Sequence, residues 1–201
     1  RNTSWTLARD AGQGINFAGV NYYDGQGFMV GKKRNVKSAA QLNGATICVQ
    51  PGTTTELNLT DYFRAKNMKF KLVVIEKMEE ALKAYFAGRC DVYSTDVSGL
   101  IAGRAPRPAD ASDHVILPEV ISKEPLGPAV RHGDDLWFDL VKWSLFAMID
   151  AEELGLSSKN IDQHGKGANP IVQRFTGATG ELGKSLGRSL NEFKKASTDL
   201  Q

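Results

Sequence analysis

Three threonines follow a Pro-Gly pair at residues 51–55, and their hydroxyls lie where a helix is expected to begin. Thr53 and Glu56 have the spacing of a capping box, in which a hydroxyl precedes a carboxylate by three residues. Such a start gathers the unpaired N–H groups around Gly52, Thr53 and Thr54 at the positive end of a helix dipole. This chemistry suits a small anion such as a carboxylate. The alternative is a capped helix that binds no ligand.

The elements around this turn alternate between strand and helix. Short apolar runs predict strands, and apolar residues three or four positions apart predict helices. The predicted order is strand 45–49, helix 54–66, strand 70–75, helix 77–87, strand 91–95 and helix 97–103. This alternation predicts an α/β fold, with a parallel sheet and helices on its faces. Ligands of such sheets bind beyond the carboxyl ends of the strands, where residues 52–54 and Asp96 are both expected, so their positions favour a ligand site.

The charges of the chain nearly balance, since 25 Lys+Arg against 23 Asp+Glu give a net charge of +2 over 201 residues. Because no concentrated basic run is present either, the composition argues against a nucleic-acid-binding surface. No uncharged apolar run approaches the roughly 20 residues that span a bilayer. The chain opens with Arg1 rather than methionine, so we expect that its true start, including any signal peptide, has been removed or lies outside this sequence.

The two cysteines, Cys48 and Cys90, lack the close spacing of a zinc or thioredoxin motif. Each lies in or beside a predicted strand, so a disulfide between neighbouring strands and two buried thiols both fit the sequence. The three histidines, His114, His132 and His164, lack metal-ligand spacing, and no metal or cofactor is expected. No histidine accompanies a carboxylate at matching strand ends, which argues against an enzyme.

Residues 164–201 differ in character from the rest of the chain. They are rich in glycine, and an apolar stripe with basic neighbours begins at Leu182. The stripe predicts an amphipathic helix that packs on its own domain, and a membrane-surface or partner-binding helix is the alternative. Residues 178–185 nearly match the phosphate-loop pattern, but too few residues follow Ser185 to supply the rest of a nucleotide-hydrolysing domain.

Three segments, residues 50–57, 84–96 and 121–131, carry a resemblance to a known family. They are similar to the polar amino-acid solute-binding proteins of bacterial ABC importers (family 3), in particular to the general L-amino-acid receptor type, and the similarity covers roughly residues 1–162. The resemblance implies a periplasmic-binding-protein-like fold of type II, in which crossing strands join two α/β lobes. It also implies a periplasmic protein that binds L-amino acids by lobe closure, without a cofactor, and delivers them to the importer's membrane subunits.

The resemblance also implies roles for individual residues. Arg9 is similar to the family's arginine that binds the ligand's α-carboxylate through both nitrogens of its guanidinium fork. Thr54 and the N–H groups around Gly52 and Thr53 would complete the carboxylate site, and Asp96 would accept the α-ammonium group. Thr3 and Ser4 would offer backbone or hydroxyl contacts. The alternative for Arg9 is a surface ion pair with its neighbour Asp10.

The resemblance implies one complete lobe and one incomplete lobe, because the family's first strands would precede Arg1. The expected organisation is a remnant of lobe 1 with the first crossing strand at 1–30, lobe 2 at 31–120, the second crossing and lobe 1 helices at 121–163, and a divergent tail at 164–201.

The predicted helix 134–149 is largely apolar and would be left exposed by the incomplete lobe, so self-association into a homo-oligomer is expected. The alternative to a receptor is a degenerate receptor lobe that binds no ligand and acts as a structural, self-associating or partner-binding protein.

Overall fold

The computed structural model describes residues 3–105, 112–164 and 169–175. The phosphate-loop-like segment 178–185 and the apolar stripe that begins at Leu182 lie outside these residues, so the amphipathic helix stays a prediction.

The chain divides into two compact units, which are described separately. The first unit comprises Arg1–Thr6 and Val20–Gly127, and the second comprises Leu7–Gly19 and Pro128–Gln201. The main segment of the first unit therefore runs from Val20 to Gly127.

The helices and strands follow the predicted alternation closely between residues 45 and 104. The strands are β1 (Ile15–Phe17), β2 (Tyr22–Asp24), β3 (Gln26–Gly31), β4 (Ala45–Val49), β5 (Phe70–Val74), β6 (Val92–Asp96), β7 (His114–Ile116), β8 (Glu124–Leu126) and β9 (Ala129–Arg131). The helices are α1 (Leu7–Gly12), α2 (Thr54–Ala65), α3 (Met78–Phe86), α4 (Val97–Arg104), α5 (Asp135–Glu153), α6 (Ile161–His164) and α7 (Pro170–Phe175).

A five-stranded sheet with the order β5-β4-β6-β3-β7 forms the centre of the first unit. β4 pairs in parallel with both β5 and β6. β3 pairs antiparallel with β6 on one side and with β7 on the other, so β3 runs against the other four strands of this sheet. The α/β prediction is confirmed, and the sheet is mixed rather than wholly parallel because β3 is inserted between two strands that α4 connects.

The segment 115–121 lies within the first unit. Its first residues belong to β7, an edge strand of the central sheet. The chain passes from the first unit to the second between Gly127 and Pro128. Pro118 breaks the strand because it has no N–H to donate to the ladder.

The two faces of the sheet carry separate apolar clusters, because side chains alternate along each strand. On β3 and β4, for example, Phe28 and Ile47 belong to one cluster, and Met29 and Cys48 belong to the other. Helix α2 covers the first face with the fully buried Leu59 and Phe63. Helices α3 and α4 cover the second face, to which they contribute Ala81, Ala84, Tyr85 and Leu100.

A disulfide joins Cys48 on β4 to Cys90, two residues before β6. Their Cα atoms are 5.6 Å apart, and both residues are buried in the second apolar cluster. Of the two states that the sequence leaves open, the structure has the bonded one. The bond clamps together the two strands whose carboxyl ends carry the candidate ligand residues.

Short antiparallel ladders flank the point at which the chain leaves the first unit. β2 pairs with β8 in the first unit, and β1 pairs with β9 in the second. Residues 3–5 run along the other edge of β8, where Ser4 bridges Leu126 and the Trp5 N–H donates to the carbonyl of Pro125 at 2.8 Å. This pairing holds Thr3 and Ser4 on the first unit.

Helix α5 is the longest described element of the second unit. Asp134 caps it by accepting a hydrogen bond from the Trp137 N–H at 3.0 Å. Its large apolar side chains are extensively exposed, namely Leu136, Trp137, Trp143, Phe146, Met148 and Ile149. None of the described helices is long and apolar enough to cross a membrane.

Candidate functional site

The candidate site lies at the sheet edge where β4 and β6 end side by side. In their parallel register Cys48 lies opposite Tyr93, so the turn after β4 and the last residue of β6, Asp96, reach the same edge. The juxtaposition that the sequence predicts is therefore present. It combines a helix N-terminus rich in hydroxyls with a carboxylate on the neighbouring strand.

Helix α2 begins through hydrogen bonds made within its own turn. The hydroxyl of Thr53 accepts from the Glu56 N–H at 3.2 Å and donates to the carbonyl of Gln50 at 2.8 Å. The Glu56 carboxylate accepts from the Gly52 N–H at 2.8 Å. The predicted hydroxyl–carboxylate pair is thus confirmed, although Glu56 reaches Gly52 rather than the cap residue itself. Gly52 has φ of 65°, a left-handed conformation that favours glycine.

These bonds change what the turn can offer a ligand. The Gly52 N–H was expected to face a ligand carboxylate, but it donates to Glu56 instead, because the acidic side chain folds back over the turn. The Thr53 hydroxyl is likewise engaged at both of its hydrogen-bonding sides. Thr54 is therefore the main candidate in this turn for contact with a ligand carboxylate.

Thr54 is the first residue of α2, and its hydroxyl lies 3.4 Å from the hydroxyl of Ser4. The two residues are 50 positions apart in the chain, and Ser4 is only 4% exposed. The N–H groups in the first turn of a helix have no partner within the helix. Thr3 contributes through its backbone, since its carbonyl accepts from the Gly127 N–H at 3.2 Å. The Ser4–Thr54 hydroxyl pair thus lies at the positive end of α2, where an anion is stabilised.

Asp96 ends β6 and occupies the cap position of α4, yet its side chain makes no capping hydrogen bond to that helix. It is half-buried. Its negative charge also affects Tyr93 on the same strand. Burial is the main cause that raises the pKa of Tyr93 to about 12, and the charge of Asp96 acts in the same direction. A carboxylate at this edge suits a cation such as an ammonium group.

Gln26 joins the two halves of the site and was not singled out by the sequence. Its side chain is fully buried, and its amide Nε2 donates to the carbonyl of Thr55 and to the hydroxyl of Ser94, both at 2.9 Å. The Ser94 hydroxyl in turn donates to the carbonyl of Gly27 at 2.9 Å. This network fixes the first turn of α2 against β6, next to Asp96.

Two further carboxylates support the site from the β2–β8 ladder, in which Asp24 lies opposite Glu124. The Asp24 carboxylate accepts from the Gly25 N–H at 2.8 Å and from the Ser98 N–H, in the first turn of α4, at 3.3 Å. The buried Glu124 carboxylate accepts from Asn58 on α2 and from Ser122, both at 2.7 Å. The Asp24-Gly25 pair signals a turn in the sequence, but no local pattern indicates that these side chains reach α2 and α4.

Arg9 lies on α1 in the second unit and is half-buried. The other predicted site residues, which are Thr3, Ser4, Gly52, Thr53, Thr54 and Asp96, belong to the first unit. The structure therefore brings together Ser4 with Thr54 and the turn with Asp96 inside one unit. Within the described residues, no group of three or more His, Cys, Asp or Glu side chains could hold a metal ion.

No protein-family model matches the chain. Curated relatives do. The general L-amino acid-binding periplasmic protein AapJ of Rhizobium johnstonii is 55% identical over 189 residues, which are 93% of this chain and 55% of the relative. The glutamate/glutamine/aspartate/asparagine-binding protein BztA of Rhodobacter capsulatus is 51% identical over 196 residues, which are 97% of this chain and 57% of the relative. The chain is homologous to amino-acid-binding periplasmic proteins of ABC transporters.

Solved structures agree with this homology. An ABC transporter periplasmic binding protein from Brucella ovis with glutathione bound is 52% identical, has a TM-score of 0.87, and is matched over 93% of this chain and 59% of its own. An ancestral arginine-binding protein bound to arginine is 25% identical, has a TM-score of 0.63, and is matched over 80% of this chain and 68% of its own. These relatives all bear the names of binding proteins. The chain spans about half the length of the curated relatives that it matches.

Proposed function

We propose that the protein binds an L-amino acid and recognises it through the α-carboxylate and the α-ammonium groups. The observation that carries the proposal is the pairing of opposite polarities at one sheet edge: a helix N-terminus with two hydroxyls beside the carboxylate of Asp96. A zwitterion has complementary charges. The names of the 51–55% identical relatives support the same ligand class.

In this proposal the α-carboxylate binds at the start of α2, against the hydroxyls of Thr54 and Ser4. Thr53 shapes that start as its cap, and Gly52 would contribute its N–H only when Glu56 releases it. Thr3 holds the neighbouring Ser4 in place through its backbone bond to Gly127. Arg9 is proposed as a second carboxylate contact on the strength of the sequence resemblance, because a guanidinium fork binds both carboxylate oxygens.

The α-ammonium group is assigned to Asp96. A cation that leaves water requires a counter-charge and hydrogen-bond acceptors, and an aspartate at a strand end supplies both. The buried network of Gln26 keeps this strand end next to the start of α2. Asp96 is therefore the residue whose loss should weaken ligand binding most.

We further propose that the protein acts in the periplasm, where it delivers its ligand to the membrane subunits of an ABC importer after lobe closure. The homologues' names support this role. Binding followed by closure needs no covalent step and no cofactor.

The exposed apolar side chains of α5 support a second proposal, self-association into a homo-oligomer, which a mass measurement in solution at micromolar concentration would test.

A second candidate ligand is a γ-glutamyl peptide such as glutathione, which is bound in the 52% identical Brucella ovis protein. The γ-glutamyl end of glutathione carries the same α-carboxylate and α-ammonium groups as glutamate. The same two recognition groups would therefore hold either ligand, and the difference would lie in the rest of the ligand.

A thermal-shift panel tests the proposal. The common L-amino acids and glutathione are compared with D-enantiomers and with analogues that lack the amino group. A ligand at one hundred times its Kd stabilises the folded state by about 2.7 kcal/mol, which corresponds to a rise in Tm of about 5–10 °C for a chain of this size. Stabilisation by L-ligands alone supports the proposal. No shift with any of them, on folded protein, would favour the alternative of a receptor lobe that binds no ligand.

A further inference from the structure

The start of α4 is capped by a residue that is distant in sequence. An aspartate at a cap position normally accepts a hydrogen bond from the second or third N–H of its helix. Asp96 occupies that position without making such a bond. The second N–H of α4, that of Ser98, donates instead to the Asp24 carboxylate at 3.3 Å, across 74 positions of the chain.

Asp24 is held firmly in this role. Its other carboxylate oxygen accepts from the Gly25 N–H at 2.8 Å, and the carbonyl of Gly25 accepts from the Val97 N–H at 2.8 Å. Both of the first two N–H groups of α4 are therefore satisfied by residues 24 and 25. A side chain at position 25 would collide with the Val120 side chain and the carbonyl oxygen of Ser122, so only glycine fits there. Backbone packing thus determines where the Asp24 carboxylate lies.

We propose that Asp24 is a positioning residue, which caps α4 so that the Asp96 carboxylate can serve the ligand's ammonium group. The inference rests on the proposed function. Without Asp24, the Ser98 N–H would lack its acceptor at the positive end of α4. Asp96 is the nearest carboxylate in sequence and already occupies the cap position. It would turn toward its own helix, and the ligand would then compete with the helix for the same charge.

The first experiment needs no ligand and uses a double-mutant cycle on Tm, with the full chain and the variants Asp24→Ala, Asp96→Ala and both together. We expect Asp96→Ala alone to remove no cap from α4, because Asp96 makes no capping hydrogen bond there. In the Asp24→Ala background the same change should lower Tm by about 2–4 °C more than it does alone, because Asp96 has taken over the cap. Equal effects of Asp96→Ala in both backgrounds would overturn the proposal.

The second experiment measures the Kd for the L-amino acid that stabilises the wild type most. We expect Asp24→Ala to raise Kd about tenfold, the value of one capping interaction. Asp24→Asn removes the charge but keeps an acceptor oxygen, so its Kd should stay within about threefold of the wild type. The matched control Asp61→Ala removes an exposed charge from α2 and should not change Kd.

The two measurements separate the failure of this inference from the failure of the proposed function. If the wild type binds no amino acid, the proposed function fails, and the Tm cycle still decides whether Asp24 keeps Asp96 away from α4. If the wild type binds and Asp24→Ala has an unchanged Kd, the positioning role of Asp24 is wrong. A Kd raised equally by Asp24→Asn and Asp24→Ala would also contradict it, since that result points to charge alone.

Discussion

The helices α2 and α4 start at the same edge of one sheet, but their first turns are stabilised in different ways. The start of α2 is stabilised by residues that are close in sequence, because Thr53 caps it and Glu56 folds back onto Gly52. The start of α4 depends on Asp24, which lies 74 positions from Ser98 in the chain. The local cap uses up two of the groups that were expected to bind a ligand, whereas the distant cap spares Asp96 from capping α4.

The difference shows how one architecture can provide two kinds of ligand contact. A helix start that satisfies itself still offers the dipole and the hydroxyls of its next residues, here Thr54 with Ser4. At the start of α4, where Asp24 supplies the cap, the carboxylate of the cap residue Asp96 makes no capping hydrogen bond. In the proposed site the start of α2 binds the ligand's carboxylate, and Asp96 at the start of α4 binds its ammonium group.

The largest predicted effect concerns the link between the strands that lead into these helices. The disulfide joins Cys48 to Cys90 across a sequence separation of 42. Replacing both cysteines by alanine should lower the free energy of unfolding by about 4 kcal/mol, mainly by releasing the unfolded chain. Urea denaturation measures this change, and reduction of the wild type should produce a similar loss. A loss below about 1 kcal/mol would mean that β4 and β6 do not depend on the bond.

The next effect is a loss of stability at high pH, to which β6 contributes and β4 does not. β4 carries no titrating side chain, since Cys48 is bonded, whereas burial raises the pKa of Tyr93 on β6 from 10.0 to about 12. A folded-state pKa above the unfolded one contributes stability that is full below pH 10 and is lost as the pH rises through 12. We expect the wild type to lose about 2–3 kcal/mol from this residue over that range. In urea denaturation at the two ends of the range, Tyr93→Phe should lose correspondingly less, and an equal loss would contradict the assignment.

The smallest effect tests the local cap. Thr53→Ala removes the acceptor of the Glu56 N–H and should cost about 1 kcal/mol of unfolding free energy. Thr60→Ala is the matched control, because the Thr60 hydroxyl only donates to the carbonyl of Glu56 within the same helix. We expect the control to change the free energy by less than about 0.5 kcal/mol. Equal losses in the two variants, measured by urea denaturation, would show that Thr53 has no special role at the start of α2.

Local patterns in the sequence predicted the α2 side of the molecule well. The strand at residues 45–49, the turn and the Thr53–Glu56 pair are all present, because each depends on residues a few positions apart. The insertion of β3 against the other strands of the sheet could not be read in the same way, since an isolated strand carries no sign of its direction. The roles of Asp24 and Gln26 depend on contacts between distant segments, and no spacing rule reports such contacts.

Recognition of a zwitterion by Asp96 is tested by a calorimetric titration of the wild type and of Asp96→Ala with the L-amino acid that gives the largest thermal shift. We expect saturable binding to the wild type and a Kd at least about 100-fold higher for Asp96→Ala, because the ligand's ammonium group would lose its counter-charge. Equal affinity in the two proteins would contradict the assignment of Asp96, and with it the proposed recognition of a zwitterion at this sheet edge.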